Sequence, residues 1–182
     1  MANYAQIRSM DISNGVGSGV SIFFSGCDFH CKGCFNSELW DYNYGKPFTN
    51  ETIEQIISLL DKPYMIRLSI LGGDGMMPRN VGHVLKLIRE VRSRLPHKKI
   101  WLYTGFTYEQ IMFPIVTCDL NPERDMLIEM RQEVLKSVDV LIDGKFEEEL
   151  KDLRLKFRGS SNQRIIDIPQ TLEANKVILW NN

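Results

Sequence analysis

The chain alternates between stretches whose apolar residues recur every three or four positions and short runs that are apolar throughout. After Thr49-Asn50-Glu51, the residues Ile53, Ile56, Ile57 and Leu60 fall on one helical face, with Asn50 as the expected N-cap and Pro63 as the stop. Ile66-Arg67-Leu68-Ser69-Ile70-Leu71 is rich in β-formers and closes on Gly72-Gly73, which predicts a buried strand. From Asn80, the spacing of Val81, Val84, Leu85, Ile88 and Val91 predicts a second amphipathic helix, with Pro96 beyond its end. Ile100 to Tyr103 predicts another strand before Thr104-Gly105. Thr107 followed by Gln110 fits a capping box, so a short helix starts there. Asn121-Pro122 opens a further helix carrying Leu127, Met130 and Val134, and Val138 to Ile142 is strand-like. Lys145 to Arg158 is charged and predicts a solvated face, and the chain closes with two short apolar runs, Arg164 to Ile168 and Lys176 to Trp180.

Strands that alternate with helices predict the α/β class, with parallel pairing and right-handed crossovers. The residues just after each strand then gather at one edge of the sheet, where α/β folds place ligands and catalytic groups. Those residues are the cysteine cluster after Val20 to Ser25, Gly72-Gly73-Asp74, Thr104-Gly105 and Asp143-Gly144-Lys145. With 182 residues, one domain spanning 1–182 is expected.

Charge and composition narrow the classes. The 22 Lys and Arg against 23 Asp and Glu give a net charge of −1, without the basic footprint of a nucleic-acid binder. The longest apolar stretches, such as Val20 to Phe24, fall far short of the ~20 residues that span a bilayer, so no membrane partner is expected. Met1 to Gln6 has neither a basic nor an apolar leader region, and a cytoplasmic protein is expected. In a reducing cytosol, clustered cysteines bind metal or do chemistry more often than they form disulfides. Three of the four cysteines form Cys27-x3-Cys31-x2-Cys34 and Cys118 stands alone, as a small hydrophobe rather than a ligand. Soft thiolates select zinc or an iron–sulfur cluster. Structural zinc wants four protein ligands in paired motifs, and no second Cys-x2-Cys exists; Cys118 or His30 could supply a fourth ligand, although His30 is poorly placed to turn inward beside its neighbours. Three cysteines suit a 4Fe–4S cluster with one iron open to a substrate, and the zinc reading stays open on spacing alone.

The cysteine spacing followed by a glycine-rich acidic turn is similar to the radical S-adenosylmethionine (SAM) enzymes. Five blocks together resemble, more narrowly, the activating enzymes of anaerobic (class III) ribonucleotide reductase. They are Ser25 to Trp40, Leu71-Gly72-Gly73-Asp74, Trp101 to Gly105, Val140 to Gly144, and Arg158-Gly159-Ser160-Ser161-Asn162-Gln163-Arg164. Many radical SAM proteins carry an aromatic residue before the third cysteine, where it contacts adenine; here that position is Gly33, as in the reductase activases, and the aromatic is Phe35 beyond Cys34, which the resemblance makes a cofactor-binding candidate.

The resemblance implies an incomplete (β/α) barrel with outer helices, shorter than the ~250 residues of a complete one. It implies that Cys27, Cys31 and Cys34 ligate three irons and that SAM chelates the fourth. Gly72, Gly73 and Asp74 would receive the SAM amino group, Thr104 would border the cofactor, and Asp143 and Lys145 would face it. A low-potential donor such as flavodoxin or ferredoxin would reduce the cluster, SAM would be cleaved to a 5′-deoxyadenosyl radical, and that radical would take hydrogen from a glycine of the reductase large subunit. No general acid–base pair is required. Two departures stand out: Gly75 replaces the usual proline after the Gly-Gly-acid turn, and Gly15 to Ser21 lacks the proline and arginine of a Gly-Pro-Gly-x-Arg pattern. Rival readings are an activase of another glycyl-radical enzyme, such as pyruvate formate-lyase, and a non-enzymatic zinc-binding interaction module.

Overall fold

The helical spacings become helices with a shared apolar face. α1 covers Asn50–Leu60 and buries Ile53, Ile56, Ile57 and Leu60. Its cap is Thr49, one residue before the expected Asn50, because Thr49 is extended and its N–H donates to Thr52 Oγ1 at 3.2 Å in a capping box. Asn50 is instead the first helical residue, and its side chain accepts from Lys86 at 2.6 Å. α2 covers Val81–Arg94, α3 Tyr108–Met112 with the expected Thr107–Gln110 box, α4 Pro122–Lys136 with Asn121 capping Arg124, and α5 Ile168–Ala174.

This computed structural model describes residues 1–115 and 121–181, so Cys118 lies outside the described residues. Seven strands form one sheet: β1 Asn3–Asp11, β2 Gly19–Phe24, β3 Lys46–Pro47, β4 Arg67–Gly72, β5 Lys99–Tyr103, β6 Val140–Asp143 and β7 Arg164–Asp167. Their order is β3-β1-β2-β4-β5-β6-β7. The four central strands, β2, β4, β5 and β6, pair in parallel with Ile22, Ile70, Leu102 and Leu141 in one lateral row. Both flanks are antiparallel. On one flank, 144–163 carries a short 3-10 turn at Glu148–Leu150 in place of a crossover helix, and β7 returns against β6. Parallel return would need a crossover across the sheet face. On the other, β1 mixes polar and apolar residues with no clean alternation, and its pairing to β2 is interrupted by register shifts.

Alternation within the central strands separates two environments. Val20, Ile22, Phe24, Leu68, Ile70, Ile100, Leu102 and Leu141 join residues of all five α-helices in one large core. On the opposite face stand two smaller clusters, Phe23 with Leu71 and Leu39, and Trp101 with Val140 and Ile142. The structure is therefore α/β with a seven-stranded sheet and helices layered on one face. Among the described residues no helix is long and apolar enough to cross a membrane.

Candidate functional site

The strand ends converge as parallel pairing demands. Cys27, Cys31, Cys34, Gly72, Gly73, Asp74, Thr104, Gly105 and Lys145 all line one cavity of about 130 Å³ at the C-terminal ends of β2, β4, β5 and β6. Cys34, Asn36, Leu71, Tyr103, Phe146 and Gln163 also wall a larger cavity of about 590 Å³ on the face of the sheet opposite the α-helices.

Backbone bonds hold the cysteine loop open around this space. Gly26 and Cys27 donate to the carbonyls of Leu39 and Trp40 at 2.7 and 3.2 Å, and Cys34 donates to Cys31 O at 3.1 Å. The loop reverses through His30 and Gly33, both at positive φ. The His30 ring lies outside the loop, 4.8 Å edge-on to Trp40, and does not join the thiols. Cys27 is buried and Cys31 and Cys34 are half-buried, all as free thiols. Burial pushes the Cys27 thiol up to about 12 against the backbone N–H of Phe29. Burial also raises Cys31, while the backbone N–H of Phe146 and the Lys145 ammonium act in the thiolate's favour. A metal centre here would displace those protons. Among the described residues, no three His, Cys, Asp or Glu form a set that could hold a single metal ion. Three free thiols around one cavity suit a multi-iron cluster, in which each sulfur takes a different iron.

The Gly-Gly-acid turn packs directly on the cysteine loop. Gly73 donates to Phe24 O at 2.7 Å and Asp74 to Gly26 O at 2.9 Å. A Cβ on Gly73 would stand 2.6 Å from the Gly26 carbonyl oxygen, so glycine is what lets the two loops touch. Asp74 is 1% exposed, and its carboxylate accepts from the Met76 N–H at 2.7 Å, the Gly105 N–H at 2.8 Å and the Thr104 hydroxyl at 2.9 and 3.0 Å. It thus ties the loop after β4 to the loop after β5. Every one of these donors is neutral; burial outweighs them and the nearby Arg131 guanidinium, and pushes the Asp74 carboxyl up to about 6.

The remaining sequence candidates sit differently. Asp143 is 1% exposed and turns from the cavity, accepting from Arg164 Nε at 3.0 Å and from the Tyr108 N–H at 2.8 Å. Lys145 does line the cavity, its ammonium 4.7 Å from the centre of the Phe29 ring. Phe35 is 60% exposed and lines the larger cavity instead, 5.3 Å from Phe146 and beneath the Lys151 ammonium at 4.8 Å.

Asn80 was expected to belong to a helix start, and its side chain does more. Fully buried, its Nδ2 donates to Ser25 O at 2.9 Å, Asp74 O at 2.9 Å and Gly26 O at 3.4 Å, clamping the cysteine loop to the acidic turn. No local pattern distinguishes such an asparagine from an ordinary cap, because its acceptors lie 54 and 55 residues away as well as six.

Residues 13–166 match the family described as "4Fe-4S single cluster domain". The chain is 39% identical over 163 residues to the anaerobic ribonucleoside-triphosphate reductase-activating protein of Escherichia coli (strain K12), covering 88% of this chain and 96% of that one. It is 38% identical over 165 residues to the protein of the same name from Vibrio cholerae serotype O1, covering 90% and 96%. The enterobacteria phage T4 protein of that name is 37% identical over 163 residues, covering 90% and 92%.

Proposed function

Starting from the premise that this chain belongs to the 4Fe-4S single cluster domain family, we propose that it is a radical SAM enzyme that activates anaerobic ribonucleotide reductase. The observation that carries this reading is the gathering of three free thiols, the Gly72-Gly73-Asp74 turn and Thr104 around one cavity. In this reading residues 1–182 form one activase domain, an incomplete (β/α) barrel acting in the cytoplasm.

When bound, the 4Fe–4S cluster and SAM supply the one-electron chemistry that ends in hydrogen abstraction from a glycine of the reductase large subunit. The chain's own part is to bind, orient and exclude water. Cys27, Cys31 and Cys34 would each hold one iron of the cluster, with the fourth iron left to SAM. Gly72 and Gly73, without side chains, let the SAM amino group reach the backbone of the turn. Asp74 fixes that turn through Met76, Thr104 and Gly105, and its charge, unmatched by a cation among its hydrogen-bond donors, favours an ammonium nearby. Lys145 borders the same space, and Asp143 acts from behind it by anchoring Arg164 and the start of α3. Phe35 and Phe146 shield the junction with the larger cavity, which receives the glycine-bearing segment. A low-potential flavodoxin or ferredoxin would serve as the electron donor, with neither nucleic acid nor membrane taking part.

Anaerobic reconstitution followed by electron paramagnetic resonance (EPR) tests this. With SAM and a reductant, a glycyl-radical signal is expected on mixing with the reductase large subunit and not with pyruvate formate-lyase. A signal with the lyase alone, or protein that holds stoichiometric zinc and no sulfide, would overturn the reading.

A further inference from the structure

The block Arg158 to Arg164 has no part in the reaction as described, yet the side chains of Ser160, Asn162, Gln163 and Arg164 all turn to the segment 143–147. The β6–β7 ladder ends at the pair Asp143 and Arg164. Beyond it the two chains diverge, and side chains take over from the backbone. Arg164 Nε donates to Asp143 Oδ1 at 3.0 Å, Gln163 Nε2 to Gly144 O at 3.0 Å, and Asn162 Nδ2 to Lys145 O at 2.8 Å. Ser160 Oγ accepts from the Glu147 N–H at 3.2 Å. Four residues of one strand thus grip four of the other, in order and antiparallel. Gln163 is the hub: its Oε1 also accepts from the N–H groups of Gly159 and Ser160 at 2.9 and 3.2 Å, which closes the block on itself.

What the block grips is the wall of the cysteine cavity. Lys145 and Phe146 follow Gly144 and line that cavity together with Cys31, which sets a cation and a stretch of backbone beside the thiols. Hydrogen bonds and charges beside a cluster's sulfur ligands set its reduction potential, and groups that orient them act at one remove.

We propose that Asn162 and Gln163 are positioning residues that hold Lys145 and Phe146 in the cavity wall beside Cys31 and so raise the reduction potential of the bound cluster. A donor N–H and a cation both stabilise the more negative, reduced state, so letting this loop relax makes reduction harder. The proposal rests on the assignment of the cluster to Cys27, Cys31 and Cys34.

The test is a redox titration of the reconstituted cluster, followed by EPR, in the unsubstituted protein and in Gln163→Leu and Asn162→Ala. Each variant is expected to hold the full iron and sulfide content and to show a lower midpoint potential, with about 59 mV corresponding to each tenfold loss in the one-electron equilibrium. Lys145→Gln is expected to lower the potential too, and to add less in the Gln163→Leu background than alone. Loaded variants whose potential is unchanged while their thermal unfolding midpoint falls would overturn the proposal, leaving the block a staple of the fold. If Gln163→Leu fails to fold, Asn162→Ala, which keeps the Gln163 hub, decides by the same readout. Failure of the underlying assignment is distinct from both, since the unsubstituted protein would then bind no iron–sulfur cluster.

Discussion

At the starts of β2 and β4, Asp11 is 4% exposed and lies 3.0 Å from the guanidinium of the fully buried Arg67; at their ends, Asp74 is 1% exposed and accepts from uncharged donors. Burial pushes both carboxyls up. At Asp11 the Asn14 N–H and the Arg67 guanidinium outweigh it and hold the group below its ordinary value, whereas at Asp74 burial wins. The closed end is self-sufficient: Arg67 also donates to the carbonyls of Asp11 and Val16, and Gly15 passes so close that a Cβ there would meet its Nε at 2.8 Å. The segment Gly15 to Ser21, which departs from its family pattern, is therefore spent on wrapping an arginine from the neighbouring strand. The open end keeps a buried carboxyl with no cation among its hydrogen-bond donors, beside three thiols; the Arg131 guanidinium, which donates to the Met76 carbonyl at 2.8 Å, favours its charge without overcoming burial.

The largest effect is expected from breaking the open end alone. Cys27→Ala, Cys31→Ala and Cys34→Ala should each abolish iron and sulfide binding and SAM cleavage, while Cys118→Ala keeps both, as measured by iron and sulfide analysis of anaerobically reconstituted protein. The closed end is broken by Arg67→Met, which strands the Asp11 charge in the interior and should cost about 3–5 kcal/mol in urea unfolding at neutral pH. Asp11→Asn in the same chain should recover much of that loss, because no charge then remains to be compensated. The smallest effect, and the sharpest contrast, is in pH dependence. A carboxyl raised in the folded state binds its proton more tightly there, so the metal-free protein should lose stability as pH rises from near 3.8 to about 6. The loss is on the order of 3 kcal/mol, and urea midpoints for Asp74→Asn should lack it. Asp11 contributes with the opposite sign: its stabilisation is present above its ordinary value and disappears as pH falls through its lowered one.

The same contrast marks what was legible in the chain. Ile53 to Leu60 and Val81 to Val91 read correctly because helical periodicity is local, and β4, β5 and β6 because their apolar runs end in glycine or a polar break. The convergence of four strand ends follows from parallel pairing and needed no side-chain detail. Three things were hidden. β1 shows no clean alternation, since the consecutive residues Arg8, Ser9 and Met10 are all exposed. The antiparallel return of β7 depends on the absence of a crossover helix in a stretch that reads simply as charged. Asp74 and Asp143 look alike, each an acid after a strand, yet Thr104 and Gly105 claim one and Arg164 the other from 30, 31 and 21 residues away. Which carboxylate is bonded by a guanidinium and which by uncharged donors is decided by partners that no local window contains.

The most direct measurement is the EPR spectrum of the reduced, reconstituted protein before and after SAM is added. Three protein thiolates and one open iron predict a cluster signal that changes on SAM addition, and a weaker change in Asp74→Asn, where the unmatched charge is gone. A cluster signal identical with and without SAM would contradict the account, because it would mean that the open end of the sheet offers SAM no iron.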